Sequence, residues 1–185
     1  VIKFVLGICL LPFVYACSRA FLNEFSLIEN NPQSVFCSGV ISFLLIYLFV
    51  WEPLAIYDKG HKVLEIIFQF FKPFLNVAPN LLPIYTIIIF IIYSTLSVFI
   101  KDTWLMQYSM FLAGFTLTLH LVFAAKSIRE KKDFLKANYI FGFSLIYILN
   151  LMIVAFSLSC IFKGFSFVSF SKETYSLAKD IFSVV

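Results

Sequence analysis

The chain alternates long apolar runs with short polar segments, and five runs are long enough to form membrane-spanning helices. A bilayer core about 30 Å thick requires about 20 apolar residues in a helix. The runs lack the alternation of a barrel strand, which favours helices. The predicted spans cover residues 1–21, 35–51, 81–100, 104–125 and 137–162. The pattern therefore predicts an all-α, polytopic membrane bundle whose transmembrane domain covers residues 1–163.

The first run has a second interpretation, because a short apolar stretch after a lysine is also typical of a signal peptide. The residue type at Tyr15 is a poor match to the small residues that precede a cleavage site. A retained first span is therefore the favoured prediction.

Two further segments are predicted to be helical without crossing the bilayer. The run from Ile66 to Phe71 is too short to span and is stopped by Lys72 and Pro73, which predicts a re-entrant or interfacial helix. Residues 164–185 are too polar to span and predict an amphipathic helix that lies in the membrane interface or docks on a partner subunit. Its expected N-cap is Ser171. Its expected apolar face consists of Tyr175, Ala178, Ile181, Phe182 and Val185.

Composition agrees with a membrane location for the whole chain. Of 185 residues, 62% are hydrophobic and only 13% are charged, and the mean hydropathy is +0.98. Such a chain has too few polar residues to cover a water-exposed surface, so its main partner is predicted to be the lipid bilayer. The net charge of +4 is small and its basic residues lie between spans, which argues against a nucleic-acid partner.

The distribution of basic residues predicts the orientation. Residues 126–136 contain five Lys or Arg residues against two acidic ones, so the positive-inside rule makes this segment cytoplasmic. Residues 22–34 contain Glu24 and Glu29 but no Lys or Arg, so this segment is expected on the outside. Five spans then place the N-terminus in the cytoplasm and the C-terminus outside, in a multi-pass protein of the cell membrane.

A charged segment between the second and third spans contains the candidate chemistry. Residues 52–65 hold most of the ionisable side chains between the second and third predicted spans. They include His61, which follows Gly60 and precedes Lys62. Four other short motifs occur in a fixed order around it: Trp51-Glu52-Pro53-Leu54, the stretch Ala78–Thr86 with two prolines, Gly114–Leu121 with a histidine, and Asn150-Leu151. Over residues 1–160 this order resembles small bacterial site-2-protease-like (M50-type) membrane zinc metallopeptidases.

The chain departs from that family at the residues that would carry catalysis. The resemblance places His61 at the first zinc ligand of the HExxH motif, Lys62 at the general base and Glu65 at the second histidine. A lysine cannot act as the carboxylate base does, and its positive charge opposes a nearby metal ion. The resemblance therefore implies a pseudoenzyme with no catalytic residues.

A zinc site with an altered shell is a second interpretation of the same residues. His61 and Glu65 are one helical turn apart, and with His120 they would form a His-Glu-His shell of a kind that binds zinc. The competing interpretation pairs Glu65 with Lys62 or Lys59 on the helix surface, where such a pair contributes only tenths of a kcal/mol.

His120 lies inside the fourth predicted span, where an ionisable residue tends to face a helix interface or a cavity. The favoured prediction is a neutral imidazole hydrogen-bonded to Thr116, Asn80 or Asn150. A proton relay would require further carboxylates within the spans, and every Asp and Glu lies at a span end or in a loop.

Three functions follow from these patterns. The first is a non-proteolytic relative of membrane metallopeptidases that serves as a scaffold or accessory subunit, with other membrane protein subunits as partners. The second is a metallopeptidase-like enzyme with the altered zinc shell. The third is a small transporter, which the lack of intramembrane carboxylates and of an internal repeat disfavours.

Overall fold

A computed structural model describes residues 2–50, 53–67, 81–100, 102–130 and 139–184. Within these ranges the chain forms seven α-helices and no strand, which confirms the predicted all-α class there. The helices are α1 (Ile2–Phe25), α2 (Asn30–Phe49), α3 (Leu54–Ile67), α4 (Ile84–Leu96), α5 (Thr103–Glu130), α6 (Tyr139–Ile161) and α7 (Phe167–Val184).

Four of these helices are long and apolar enough to cross a membrane. The qualifying stretches are Phe4–Phe25, Asn30–Phe49, Thr103–Arg129 and Tyr139–Ile161. Even the shortest, with 20 residues, reaches about 30 Å at 1.5 Å per residue. Large apolar side chains such as Leu48 and Phe49 are exposed on their surfaces, as expected where the solvent is lipid. The helices are compatible with a multi-pass membrane protein, and these stretches correspond to the first, second, fourth and fifth predicted spans.

The third predicted span, residues 81–100, contains a shorter helix. α4 has 13 residues, so its length of about 20 Å is less than the thickness of the bilayer core. It begins after Pro83 and ends in a turn that leaves Phe99 81% exposed. The number of membrane crossings thus depends on α4 and stays a prediction.

The first polar connection is shorter than residues 22–34. α1 continues to Phe25 and α2 begins at Asn30, so only residues 26–29 lie between the two helices. Pro32 lies in the first turn of α2, where its missing N–H breaks no helical hydrogen bond. Glu24, expected in an external loop, is instead a buried residue of α1.

The chain divides into two compact units. One consists of Val1–Glu29 with Ala125–Val185, and the other of Asn30–Ala124. The first contains α1, α6 and α7, and the second contains α2, α3, α4 and most of α5.

In the first unit, α1 packs against α6 through small and polar residues. A Cβ atom added to Gly7 would lie 3.0 Å from the backbone nitrogen of Phe141, so the two backbones approach closely. Further along, the Ser18 and Tyr147 hydroxyls are 3.0 Å apart and share a hydrogen bond. Small residues and interhelical hydrogen bonds are the usual means of holding helices together in lipid.

The N-terminus of α7 is capped by two side chains. Ser166 accepts a hydrogen bond from the Ser169 N–H at its hydroxyl (3.2 Å), as an N-cap serine does. The backbone N–H of Ser166 donates to the Glu24 carboxylate on α1 (3.0 Å). The expected cap, Ser171, was wrong because the helix begins one turn earlier, and its hydroxyl donates to the Phe167 carbonyl inside the helix.

α7 packs along α1 in its own chain. Its buried side includes Phe170 and Ala178, and the Phe170 ring meets Phe21 at 6.5 Å between centroids. Tyr175, expected on the same apolar face as Ala178, is 70% exposed. Ala178 of the predicted apolar face thus packs toward α1, whereas the place of Tyr175 in the membrane interface or on a partner stays a prediction.

In the second unit, α2 and α5 cross at two reciprocal glycines. A Cβ atom on Gly39 would meet the Phe111 carbonyl oxygen, and one on Gly114 would meet the Phe36 carbonyl oxygen. Each glycine therefore lets the opposing backbone approach to direct contact. Beyond this crossing, a buried cluster joins α2, α3 and α5 through Phe43, Tyr57, Leu119 and Phe123.

Candidate functional site

The candidate site begins with α3, which is amphipathic. Pro53 precedes the helix and its carbonyl accepts the Ile56 N–H. Tyr57, Gly60 and Leu64 recur at helical spacing and are buried, so they form the packed face. The charged residues of the helix are all exposed; they are Asp58, Lys59, Lys62 and Glu65.

α3 contacts the beginning of α4 closely at Gly60. A Cβ atom at this position would lie 2.7 Å from Cε2 of Tyr85, so a larger residue would displace the ring. The Tyr85 hydroxyl donates to the Ile56 carbonyl at 2.6 Å. The Gly-His pair noted in the sequence therefore has a packing role here, since glycine allows α3 to reach α4.

α5 closes the site from the third side. Thr116 shares a hydrogen bond of 3.0 Å with the fully buried Thr86 of α4, and its hydroxyl also contacts the Leu112 carbonyl. One turn further along α5, His120 is buried. The threonine pair thus holds α4 beside the segment of α5 that carries the histidine.

These three helices enclose a small pocket with space for about one water molecule. Tyr57 is one of its lining residues. The centroid of its ring is 5.1 Å from that of His61, 6.1 Å from that of His120 and 5.3 Å from that of Phe123, on which it stacks. The residues that line the pocket are Tyr57, Gly60, His61, Leu64, Leu82, Ile84, Tyr85, Leu119 and His120.

Tyr57 is the most unusual polar group of the site. Its hydroxyl is buried and has no hydrogen-bond partner among the residues that the structure describes. Burial raises the pKa of this hydroxyl well above its ordinary value, and the negative charge of Asp58 adds to the effect. The phenol is therefore a neutral hydrogen-bond donor beside two imidazoles at any physiological pH.

The three predicted zinc ligands are placed differently. His61 and His120 both line the pocket, whereas Glu65 is exposed and is not among the lining residues. A helix turns by about 100° per residue, so Glu65 is rotated about 40° from His61, away from the packed face. Across the described ranges no group of three or more His, Cys, Asp or Glu side chains is arranged to hold a metal ion. The zinc shell stays a prediction.

Sequence reasoning did not single out Tyr57 as a site residue. The signal was present, because Tyr57 precedes His61 by four residues and Leu64 by seven on an amphipathic helix. Of the predicted partners of His120, Thr116 shares a hydrogen bond with Thr86 on α4, and the Asn150 amide donates to the Ile146 carbonyl. The predicted hydrogen bond of His120 itself stays a prediction. Asn80, Trp51 and Glu52 lie outside the described residues, as does the 68–71 part of the predicted re-entrant helix.

Comparisons with protein-family models, curated proteins and solved structures give no match for this chain. The resemblance to site-2-protease-like metallopeptidases therefore stays a prediction that depends on the short motifs alone.

Proposed function

We propose that this membrane protein is a non-proteolytic relative of site-2-protease-like metallopeptidases and serves as a scaffold or accessory subunit of a membrane complex. One observation carries the proposal: none of the described residues lining the pocket is a carboxylate. Lys62, at the position of the general base, and Glu65 are both exposed.

Hydrolysis by the family mechanism requires a carboxylate as the general base. A general base positioned on the attacking water contributes about 10²- to 10⁴-fold to the rate. His61 and His120 offer imidazoles, but an imidazole that binds a metal ion is not available as that base. The described part of the pocket has space for about one water molecule.

A scaffold role agrees with the surfaces that the helices present. In the turn after α4, Val98 and Phe99 are exposed, and at the start of α5 the exposed rings of Trp104 and Tyr108 stack on each other at 6.2 Å. Aromatic residues of this kind anchor helices at the membrane surface and also recur at helix contacts between subunits. We propose other membrane proteins as the partners of these surfaces.

We propose that the protein lies in the cell membrane. In this orientation the basic segment 126–136 lies on the cytoplasmic side. This requires α4, with its flanking residues, to cross the bilayer. The N-terminus then lies in the cytoplasm and the C-terminus outside, as the positive-inside rule predicts.

Purification of the tagged protein in mild detergent from its native membrane tests the scaffold role. We expect stoichiometric co-purification of other membrane proteins, unchanged in a His61→Ala variant, because the pocket would not be part of the assembly. A protein that is strictly monomeric in several mild detergents, with no co-purifying chain, would contradict the proposal.

A metal-dependent enzyme is the second candidate, because His61 and His120 do meet at one pocket. Metal analysis of the purified protein tests it. Stoichiometric zinc that is lost in both His61→Ala and His120→Ala would support the metal site, and retention of zinc in Glu65→Gln would exclude the carboxylate from its shell. Zinc far below one per chain in the parent protein would remove this candidate.

A further inference from the structure

Helix α7 carries a seven-residue pattern on the side opposite its buried residues. A serine recurs every seven residues, at Ser169, Ser176 and Ser183, and all three serines are exposed. A lysine and an acidic residue follow the first two serines after three and four residues, as Lys172-Glu173 and Lys179-Asp180. A seven-residue period keeps side chains on one face of a helix and is typical of a face that packs against another helix. We call this side the serine face of α7.

The packing of α7 on α1 sets the depth of the serine face in the membrane. α7 runs antiparallel to α1 from its cap at Glu24, and its Phe182 ring meets the Phe13 ring at 5.6 Å between centroids. Phe13 is close to the middle of a candidate span of 22 residues. Lys179 and Asp180 lie within one helical turn of Phe182, so both are near the middle of the bilayer core.

Charged side chains at this depth need a polar neighbour. Ionised residues inside a bilayer are unfavourable in hydrocarbon, and they face a bundle interior or a water-filled cavity, or pair with one another. Lys179 and Asp180 are both exposed on the surface of the chain. They are turned about 100° apart around the helix, so they do not face each other. A partner helix on this face therefore needs an acidic group opposite Lys179 and a basic group opposite Asp180.

A second copy of the chain has both groups in that order. Two copies with the same orientation in one bilayer can be related by a twofold axis along the membrane normal, which places equivalent residues at equal depth. Around the axis of α7 the serines lie between the lysines and the acidic residues. When two serine faces meet in parallel, Lys179 of each copy thus lies beside Asp180 of the other. The face is complementary to itself, as a symmetric interface requires.

The serines allow the two helices to come close. Small side chains at a helix contact permit close backbone approach in lipid. The Ser183 hydroxyl donates to the Asp180 carbonyl of its own helix at 2.8 Å, so its proton needs no partner on the second helix. Lys172 and Glu173 repeat the charge pattern one heptad earlier, where Glu173 also accepts a hydrogen bond from the Asn23 amide on α1.

We infer that the serine face of α7 is a self-association surface, on which two copies of the chain pack in parallel and exchange ion pairs between Lys179 and Asp180. A different membrane protein fits less well, because it would need both charges at this depth and in the opposite order. Self-association does not rest on the proposed scaffold role, since other subunits can bind to other surfaces of the dimer. Each proposal can therefore fail alone.

Charge reversal tests the ion pairs. Energy transfer between two fluorescently labelled pools of the intact protein, reconstituted in liposomes at several protein-to-lipid ratios, measures the dimer. Lys179→Asp alone and Asp180→Lys alone should each weaken self-association at least about 100-fold, because every ion pair becomes a like-charge contact. The double variant, Lys179→Asp with Asp180→Lys, restores opposite charges and should dimerise like the parent protein. An equal mixture of the two single variants should form mixed dimers for the same reason.

A disulfide crosslink tests which face is buried. In a protein whose four native cysteines are replaced, oxidation of Ser176→Cys should give a covalent dimer. Tyr175→Cys is the matched control, because this exposed neighbour is turned about 100° away and should give little dimer. A parent protein that is monomeric at every protein-to-lipid ratio, single variants that dimerise as well as the parent, or equal crosslinking at the two positions would overturn the inference. Loss of the dimer that neither the double variant nor the mixture restores would also overturn it.

Discussion

Tyr57 joins the aromatic cluster of α2 and α5 to the histidine pocket. Its ring stacks on Phe123, while its hydroxyl lies buried among residues that give it no hydrogen bond in the described part of the chain. Burying an unsatisfied polar group costs about 1–3 kcal/mol, so the hydroxyl should oppose folding while the ring favours it.

Replacing single hydroxyls separates these effects. Tyr57→Phe removes an unsatisfied group and is expected to raise the free energy of unfolding by about 1 kcal/mol. Tyr85→Phe is the matched control, because its hydroxyl donates to the Ile56 carbonyl, and it should lower the same quantity by about 1 kcal/mol. Denaturation of both variants in one detergent measures the difference. Destabilisation by Tyr57→Phe would mean that its hydroxyl has a partner in the folded protein.

Alkaline pH provides an independent test of the same group. Because the pKa of Tyr57 is raised above its ordinary value of 10.0, the folded state retains the proton that the unfolded state loses. The contribution to stability is complete below about pH 10 and declines as the pH rises toward the folded pKa. Tyr57→Phe should therefore lose less stability than the parent protein between about pH 9 and about pH 11. Parallel pH profiles of the two proteins would contradict the expectation.

Helix contacts in this molecule depend on glycine at the crossing of α2 and α5. In lipid, hydrophobic burial contributes little free energy to helix association, because the lipid tails are as apolar as the side chains. Close backbone contact and hydrogen bonds therefore hold the helices together. Gly39 and Gly114 face each other's helix, and a Cβ atom on either would meet a carbonyl oxygen of the opposing backbone. The crossing is therefore sensitive to a single methyl group.

Gly39→Ala is expected to lower the free energy of unfolding by about 1–3 kcal/mol, since the added methyl forces the two backbones apart. Cys37→Ala, an exposed position on the same helix, should change it by less than about 0.5 kcal/mol. Chemical denaturation in detergent provides both values. A Gly39→Ala protein as stable as the Cys37→Ala control would show that the crossing is looser than described.

The attachment of α7 depends on its cap. Ser166→Ala removes the hydroxyl acceptor of the Ser169 N–H and should destabilise the helix by about 1 kcal/mol. Glu24→Ala removes the buried acceptor of the Ser166 N–H, and with it a negative charge at the positive end of the helix dipole. Hydrogen exchange of residues 167–184 should accelerate in both variants, and Glu24→Gln, which keeps an acceptor oxygen, should have the smaller effect. Exchange that is unchanged in Glu24→Ala would refute this role.

At the scale of the whole molecule, α4 decides the topology. If residues 81–100 cross the bilayer, the turns at Ser26 and Ser97 lie on the same side, and Ser127 lies on the opposite side. If α4 does not cross, Ser97 lies on the opposite side from Ser26. Single cysteines at these positions, in a protein whose four native cysteines are replaced, can be labelled with an impermeant reagent in sealed vesicles.

We expect labelling of Ser26→Cys and Ser97→Cys from one side, and of Ser127→Cys from the other. A short apolar helix with exposed Val98 and Phe99 after it can cross a locally thinned bilayer at a modest cost. A spanning α5 places Ser97→Cys and Ser127→Cys on opposite sides of the membrane. Labelling of both from the same side would therefore show that α5 does not cross. Labelling of Ser97→Cys opposite Ser26→Cys would remove the third span.

The membrane class and the positions of the four long helices were predictable from the sequence alone. Hydropathy acts locally, because each span must satisfy its own backbone and match its own surface to lipid. The amphipathic character of the C-terminal segment was predictable for the same reason, although its packed stripe was not. The stripe depends on which residues of α1 face α7, and no local pattern specifies them.

Only the tertiary structure determined which residues far apart in the sequence contact each other. Glu24 and Ser166 are 142 residues apart, and nothing near Glu24 in the sequence distinguishes a helix-capping carboxylate from a loop residue. His61 and His120 meet in one pocket because Gly60 and the Thr86–Thr116 pair draw three helices together, while the turn of α3 carries Glu65 outward. Apolarity along the chain determines whether each helix lies in lipid or in water. Small residues and hydrogen bonds between helices determine which helices pack together.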